Sequence, residues 1–519
     1  MSLNPVSVIV AVGLFACVTC LGLFGARWRA GDLGLLHEWG LGGRRFGTFV
    51  SWFLLGGDLY TAYTFIAVPA LIYGAGAAGF FPVPYTVLMY PLLFVAFPRL
   101  WSVSRRHGYV TAADFVRGRF GSRSLALAVA VTGIVATVPY IALQLTGIQV
   151  VIAALGMRSA WMLPGIGMVH DVPLLIAFAA LALYTYASGL RGTALIAIVK
   201  DVLIYVTVVA AIVVIPAKLG GFGKIFASIN PHELLLGHGA SSNWGPGFAY
   251  ASLAVGSALA LFLYPHSVTA LLSSSSRNVI RRNAVLLPAY SLALALIALL
   301  GYMAVAAGLK GMPQFTEGFR ISGDNFAVPA LFLRMFPSWF IGIALAAIAI
   351  GALVPAAIMA IACASLFTRN IYKEFIAPNC SPRQEAEVAK FMSLLVKLGA
   401  LFFVLELQST YAIQLQLLGG IWISQTVPAV LLVLYVRLNP KALLIGWAAG
   451  MLAGTWMAWR LHFKGTVFSL HLFGITIPCY AAVSALVLNI AISLALSWLF
   501  NFASSRLPVD ETIAEDYVL

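Results

Sequence analysis

Apolar residues along this chain are grouped in long unbroken runs, not in amphipathic stripes. Thirteen such runs, each close to twenty residues or longer, fall at about 6–26, 46–74, 80–98, 124–155, 172–188, 192–217, 247–271, 284–306, 338–366, 387–405, 411–436, 442–459 and 479–501. A helix of about twenty residues spans a hydrocarbon core of about 30 Å. The pattern therefore predicts an all-α polytopic membrane protein with about 13 transmembrane helices, whose first partner is the lipid bilayer. The polar positions between the runs divide by charge. "RLWSVSRRHGYVTAADFVRGRFGSR" (Arg99–Arg123), "SRNVIRR" (Ser276–Arg282) and the stretch Arg369–Lys390 are rich in Arg and Lys, and all lie on one side of the predicted membrane. The positive-inside rule makes that side cytoplasmic, with the N-terminus outside and the C-terminus inside. The tail "PVDETIAEDYVL" is acidic and is expected to be mobile.

Composition agrees with the pattern. The chain is 61% hydrophobic and only 9% charged, where soluble domains carry about 25% charged residues. The net charge of +14, from 31 basic and 17 acidic residues, raises the question of nucleic acid. The basic residues lie in separate loops between spans, however, and form no continuous stripe, so no nucleic-acid partner is expected. The first span begins "MSLNPVS", with no positive residue and no small-residue cleavage site after it, so it reads as a helix and not a signal peptide. Cys17, Cys20, Cys363, Cys380 and Cys479 sit in or beside spans without ligand spacing and read as buried apolar side chains. His232 and His238 fall in a predicted outer loop and read as solvated. No HExxH, phosphate loop, dinucleotide fingerprint or placed triad occurs. No cofactor, metal site or catalytic residue is expected, and an intramembrane enzyme is disfavoured.

Two runs are interrupted in comparable ways. "SWFLLGGDLYTAYTF" (Ser51–Phe65) breaks at Gly56-Gly57-Asp58, and the 247–271 run carries Gly256-Ser257 and then Pro265-His266. They lie about 200 residues apart, and each opens a set of five spans, 46–217 and 247–436. Residues 1–45 then form an extra N-terminal helix and loop, and 437–519 two extra helices and a tail. Paired Gly/Pro interruptions at corresponding places are the sequence mark of a repeat-built transporter with a site at the breaks. The competing reading is that such glycines only let helices approach closely.

Three motifs, in order, carry a family resemblance. "RRHGYVTAADFVRGRFGSRS" resembles the first cytoplasmic loop of the sodium/solute symporter family. "GLRGTALIAIVKDVLIY" (Gly189–Tyr205) is similar to its Gly-Gly-Leu…Thr-Asp sixth span, and "SLFTRNIYKEF" (Ser365–Phe375) to the Ser-Thr-x-Phe-Thr-x-Asp-Ile-Tyr run ending its ninth. The similarity covers roughly residues 40–436, and within the family the chain looks most like the bacterial monocarboxylate-transporting branch. The resemblance implies a LeuT-type 5+5 inverted repeat, location in the bacterial cytoplasmic membrane, and secondary transport of a small organic solute.

Candidate chemistry gathers at the first break. A carboxylate in mid-membrane is costly and usually faces a cavity or a partner, so Asp58 is a candidate coupling residue; N-capping of the following half-helix is the plainer role. Gly56 and Gly57 let the backbone unwind there, freeing carbonyls for a cation and amides for an anion. Asp201 matches the family's acidic residue near its second sodium site, and Lys200 beside it is a departure. Neighbouring helix residues point about 100° apart, so a direct Lys200–Asp201 pair is not expected, and Lys200 is expected to reach Asp58 or the vacant cation site. Counting back from "SLFTRNIY", Val354-Pro355 match two hydroxyl residues that ligate sodium in coupled relatives. Neither offers a side-chain oxygen, which a hard cation requires, so this sodium site reads as degenerate and the proton as the coupling ion. Asp58 or Asp201 can then load and release it.

Tyr60, Thr61, Tyr63, Tyr140, Gln144 and Tyr264, with His266, are candidate substrate contacts, aromatic walls with a few polar groups suited to a small amphiphilic acid. No dedicated arginine clamp is evident in mid-membrane. Lys397 reads as a snorkelling or groove-facing residue, and Ser273–Ser276 as a polar loop. The expectation is import of a small monocarboxylate (lactate, pyruvate, acetate or similar) by proton symport and alternating access. The alternative is sodium-coupled symport of a monocarboxylate or amino acid. A channel is disfavoured.

Overall fold

The computed structural model describes residues 4–28, 31–57, 59–157, 161–163, 167–169, 171–236, 245–406, 412–472, 474–503 and 510–518. In chain order, leaving out single turns and the shorter connecting helices, the first half contains α1 (Pro5–Phe24), α2 (Leu36–Leu41), α3 (Thr48–Gly57), α4 (Val68–Ala75), α5 (Pro82–Val95), α6 (Phe97–His107), α7 (Ala112–Phe120), α8 (Arg123–Ala154) and α9 (Val172–Leu219). The second half contains α10 (Gly245–Leu261), α11 (Pro265–Leu272), α12 (Arg277–Leu286), α13 (Pro288–Ala306), α14 (Ser338–Phe367), α15 (Pro382–Glu406), α16 (Ala412–Ile423), α17 (Pro440–Arg460) and α18 (Ala481–Ala503). Among the described residues ten helices are long and apolar enough to cross a membrane, and two bent pairs, α5–α6 and α10–α11, bring the number to twelve. The 48 residues of α9 would reach roughly 72 Å as one rod, more than twice a bilayer core. They turn instead at Gly189, whose φ of +57° and ψ of −140° only glycine adopts without strain. A methyl there would also strike the Trp39 carbonyl. The stretch is two helices end to end.

The core is organised on α14. Its sequence "GIALAAIAIGALVPAAIMAIACAS" intersperses alanine and glycine with isoleucine and leucine, and almost every residue from Phe340 to Leu366 is buried. Small side chains let neighbouring backbones close in, and α1, α8, α9 and α15 all pack on it. By contrast α1 is peripheral, with Ile9, Val12 and Phe24 exposed. Cys17 and Cys20 on that helix are exposed too, and only Cys363 and Cys479 are buried as expected. The difference follows from the helix having one neighbour face only. His238 lies outside the described residues.

Both interrupted runs are broken. After Gly57 the α-helix stops, and the chain resumes as a π-helical turn, Tyr63–Ala67, running into α4. Helices α10 and α11 meet at 48° across Phe262–Tyr264, where Pro265 removes an amide and starts the next helix. Gly256-Ser257, expected to share in that break, lies inside a continuous α10; its missing side chain makes room for the Tyr480 ring, 2.6 Å from where a methyl would sit. Two antiparallel hairpins accompany the helices. Trp161–Leu163 pairs with Gly167–Val169, and Val467–Leu472 with Ile475–Tyr480. The second occupies a stretch read as a loop and the start of the last span. Alternating apolar and polar residues before Gly474 (Val467–Leu472), the β-branched run Ile475–Ile477 after it, and the glycine itself at φ +81° are a hairpin signature.

Two readings of the basic loops change. Ser273 and Ser274 are buried, not solvated. Phe46, entering α3, donates its amide to the Ser273 carbonyl at 3.3 Å and accepts from Ser275 at 2.8 Å, while Trp101 Nε1 donates to the Ser274 carbonyl at 2.9 Å. The acidic tail, expected to be mobile, is docked over Asp510–Val518. The Glu511 amide donates to the Gly118 carbonyl at 3.0 Å, Arg119 pairs with Asp510 at 2.6 Å, and Arg106 and His107 each meet Asp516 at 2.8 Å. Tyr517 sets its ring edge against Phe115 and under Arg119, and Arg277 donates to the Val518 carbonyl. Opposite charge on the loop and tail, both legible in sequence, supplies the attraction; the tyrosine supplies the apolar anchor.

Burial alone would raise the Asp516 carboxyl, but the hydrogen bonds from the His107 ring and the Ile513 amide, with the charges of His107 and Arg106, hold it below the usual carboxylate range. A depressed native value gives stability that is present above the unfolded value, near 3.9, and lost as pH falls through the native one. Amide exchange of residues 511–518 should therefore be slow at neutral pH and lose protection only on acidification below about pH 4. Asp516→Asn should speed it roughly tenfold at pH 7. Equal exchange in the variant and the parent would contradict the docking.

Candidate functional site

The break after Gly57 ends the helix and deprives its last carbonyls of the donors that a continuing helix supplies. Lys200, in the second half of α9, fills that gap: its Nζ donates to the Gly57 carbonyl at 2.7 Å and the Tyr60 carbonyl at 3.0 Å. The same ammonium lies 3.0 Å from Asp201 Oδ1, and Asp201 Oδ2 accepts from the Tyr290 hydroxyl at 2.6 Å. Lys200 and Asp201 are both fully buried. The direct pair between adjacent residues, not expected from helix geometry, forms because the long lysine stem folds back over its neighbour while still reaching the broken helix. Asp58 lies outside the described residues.

Aromatic rings enclose this cluster. Tyr290 packs on Tyr60 (centroids 4.6 Å apart), on Trp52 (4.9 Å) and on Tyr205 (5.7 Å). The Tyr60 hydroxyl donates to the Tyr290 carbonyl at 3.3 Å. Gly56 is where the Tyr290 ring crosses α3, and a methyl there would overlap it. Water is kept out, so charge–charge and hydrogen-bond terms act at low dielectric, and removing one partner leaves the other stranded. Across the break, Gly351 of α14 faces the Tyr60 carbonyl: a methyl on it would sit 3.9 Å from that oxygen. Val354 and Pro355 lie three and four residues further on, hence on the same helix face, and both are buried. That face offers the break no side-chain oxygen, and Pro355 leaves the Gly351 carbonyl without its usual amide.

The remaining candidates line the start of the second half-helix and the other break. The Thr61 hydroxyl accepts from the Tyr63 amide at 3.0 Å, and Gln144 Oε1 from the Ala62 amide at 3.1 Å, so these two side chains shape the start of the second half-helix. One turn before Gln144 on α8, Tyr140 meets Tyr264 and His266 of the other break at 5.3 and 5.4 Å. The Tyr264 hydroxyl donates to the Gln416 carbonyl at 2.9 Å, and Tyr63 is buried. A cleft lined by Thr111, Leu263, Pro265, Thr269, Ala362 and Thr426 joins this second break to the basic loop. The structure thus brings Gly56, Gly57, Tyr60, Lys200 and Asp201 together, and separately Tyr140 and Tyr264, with Gln144 one turn along α8.

Sequence reasoning missed Tyr290 and Tyr205, tyrosines set among mostly apolar residues that look like ordinary packing positions. It also missed Arg191, fully buried and held by Glu38 of α2, which in turn takes Arg45 at 3.0 Å. Arg191 is therefore committed to an ion pair. Lys397 neither snorkels nor faces a groove; it is fully buried, and its Nζ has no partner among the described residues.

A solved structure of a Na+-coupled sialic acid symporter, in a substrate-bound outward-open state, superposes with a TM-score of 0.74 at 16% identity, covering 96% of this chain and 98% of that one. The fold is that of LeuT-type secondary transporters. The family model described as "Sodium:solute symporter family" matches residues 39–454, and the chain belongs to that family. It is 48% identical to the monocarboxylate transport permease protein of Rhizobium johnstonii, across 95% of this chain and 97% of the relative. It is 33% identical to the uncharacterized symporter YodF of Bacillus subtilis, across 86% and 87%, and 23% identical to the sodium/proline symporter of Escherichia coli, across 70% of each.

Gly56→Ala should force the Tyr290 ring off α3 and destabilise the protein by about 1–3 kcal/mol. Gly57→Ala meets the Lys200 ammonium at 2.9 Å, a milder overlap than the 2.1 Å at Gly56, and should cost less. Thermal unfolding of the two variants in detergent checks the order; the reverse order would mean that the ring does not rest on Gly56.

Proposed function

We propose that this symporter imports small monocarboxylates such as lactate, pyruvate or acetate across the bacterial cytoplasmic membrane, coupled to protons. The observation that carries the proton reading is the Lys200 ammonium resting on the Gly57 and Tyr60 carbonyls beside Asp201. A cation already occupies the oxygens that the broken helix presents, and it is covalently fixed. What such a cation can exchange is its proton. Uptake of a proton by the neutral amine restores the ammonium that ties α3 to α9. Release of that proton loosens the tie and lets the two breaks reorganise. Asp58 is the proposed second titrating group, and Val354-Pro355 the reason a sodium ion gains little here. The solute is proposed to lie between the breaks, against Tyr60, Thr61, Tyr63, Tyr140, Gln144 and Tyr264, leaving toward the cleft at Thr111 and Thr426. In this reading 46–217 and 247–436 are the inverted repeats, and the basic loops face the cytoplasm.

Support for the substrate comes from the 48%-identical relative, a monocarboxylate transport permease protein by name. The sodium-coupled alternative has its own support, the family description and the sodium/proline relatives, and one experiment separates the two. In proteoliposomes, radiolabelled lactate or pyruvate should accumulate under an imposed pH gradient and ignore a sodium gradient. Lys200→Met, Asp201→Asn and Asp58→Asn should each cut that accumulation by roughly tenfold, within the range of coupling energies of about 1–3 kcal/mol. Accumulation that follows sodium at fixed pH would replace the proton reading with the sodium one.

A further inference from the structure

The basic face contains a cavity that takes no part in the cluster at the breaks. It measures about 290 Å³ and lies where α2, the end of α6 and the start of α15 meet, lined by Arg44, Arg105, Arg369, His37, Gly108 and Glu385 among others. Its floor is unusual. Gly42, Gly43 and Arg44 take φ values of +57°, +68° and +55° in succession, a left-handed turn that a side chain such as Arg44's disfavours. The turn drives the Arg44 side chain inward, where it is 7% exposed. There Nη2 donates to the Tyr109 carbonyl, and Nη1 has no partner among the described residues.

The charges around it do not balance. The nearby carboxylates are already engaged: Arg369 meets Asp114 at 3.3 Å and Glu385 at 3.1 Å, and Lys373 meets Glu385 at 2.7 Å. Neither Arg44 nor Arg105 has a carboxylate within ion-pair distance among the described residues. Burial, then the charge of Arg105, lowers the Arg44 guanidinium to about 10, with Asp114 opposing and Arg369 adding to the fall. A buried, uncompensated guanidinium is a liability that an anion would relieve.

We propose that this cavity binds a phosphate-bearing anion, held by Arg44 from the floor and Arg105 from the rim. The planar guanidinium fork matches phosphate oxygens two at a time. A dianionic phosphoryl group balances two uncompensated arginines, which a monocarboxylate does not. The phosphoryl group can belong to a soluble metabolite or to a phospholipid headgroup, and the cavity's place on the basic face admits both. The site rests on neither the substrate nor the coupling ion proposed above.

The test is thermal unfolding of the full-length protein, with sodium pyrophosphate against sodium chloride at equal ionic strength in detergent. A second arm uses nanodiscs with and without phosphatidic acid. The parent protein should be stabilised by pyrophosphate, by phosphatidic acid, or by both, and which arm responds identifies the source. Arg105→Gln changes an exposed residue and should keep the anion-free midpoint while weakening the half-effect concentration by roughly tenfold. Arg44→Lys keeps the charge but loses the fork and should weaken it as well. No stabilisation in either arm, or equal stabilisation of the parent and Arg105→Gln, overturns the site.

Discussion

The structure turns on one exchange of liabilities at the first break. A helix stopped in the middle of a membrane leaves carbonyls that no lipid can satisfy. A lysine buried in the same region carries a charge that no lipid can solvate. Lys200 and the Gly57 and Tyr60 carbonyls cancel each other's cost, and Asp201 completes the neutralisation. Either feature alone would be expensive; together they form a fixed joint between segments some 140 residues apart, since 143 positions separate Gly57 from Lys200.

The surrounding packing serves that joint. Tyr290 reaches Asp201 where Gly56, lacking a side chain, leaves room for its ring against the end of α3. Tyr205 and Trp52 then close the ring wall. On the far side α14, rich in alanine, comes close and meets the break with glycine, valine and proline, none of which carries a side-chain oxygen. The second break is built differently. Its neighbours are Tyr140, Tyr264 and His266, whose rings pack on one another, so the first break carries the Lys200–Asp201 pair and the second an aromatic surface. That division suits a carrier in which one break answers to a cation and the other to an organic solute.

Much of the fold was legible in the sequence because its signals are local. Run length gives helices, and Gly-Gly and Pro-His give breaks. The site was legible by half. Lys200 and Asp201 stand out because charge in an apolar run is conspicuous, but their pairing depends on how a long side chain bends, which helical geometry alone misjudges. Tyr290 and Tyr205 were invisible, since a tyrosine among leucines has the same pattern whether it packs or bonds. Gly256 was misread because a glycine that admits a ring and a glycine that breaks a helix look alike until the neighbour, Tyr480, is placed. The docked tail and the buried Ser274 share a cause: polar segments read as solvated until a distant partner covers them.

In the proposed function a side chain stands where an exchangeable ion would, and that changes what can be coupled. A sodium ion brings its charge and leaves with it, so the oxygens that hold it must tolerate being empty. A lysine never leaves; only its charge does, with the proton. In the proposed mechanism the joint is therefore never vacant, and the switch lies in the strength of three contacts to one nitrogen. An ammonium binds both carbonyls and the carboxylate. A neutral amine keeps at most the geometry, and leaves Asp201 to the Tyr290 hydroxyl alone. The aromatic wall matters here as much as the charges, because at high dielectric the two protonation states would differ little in how firmly they hold α3 to α9.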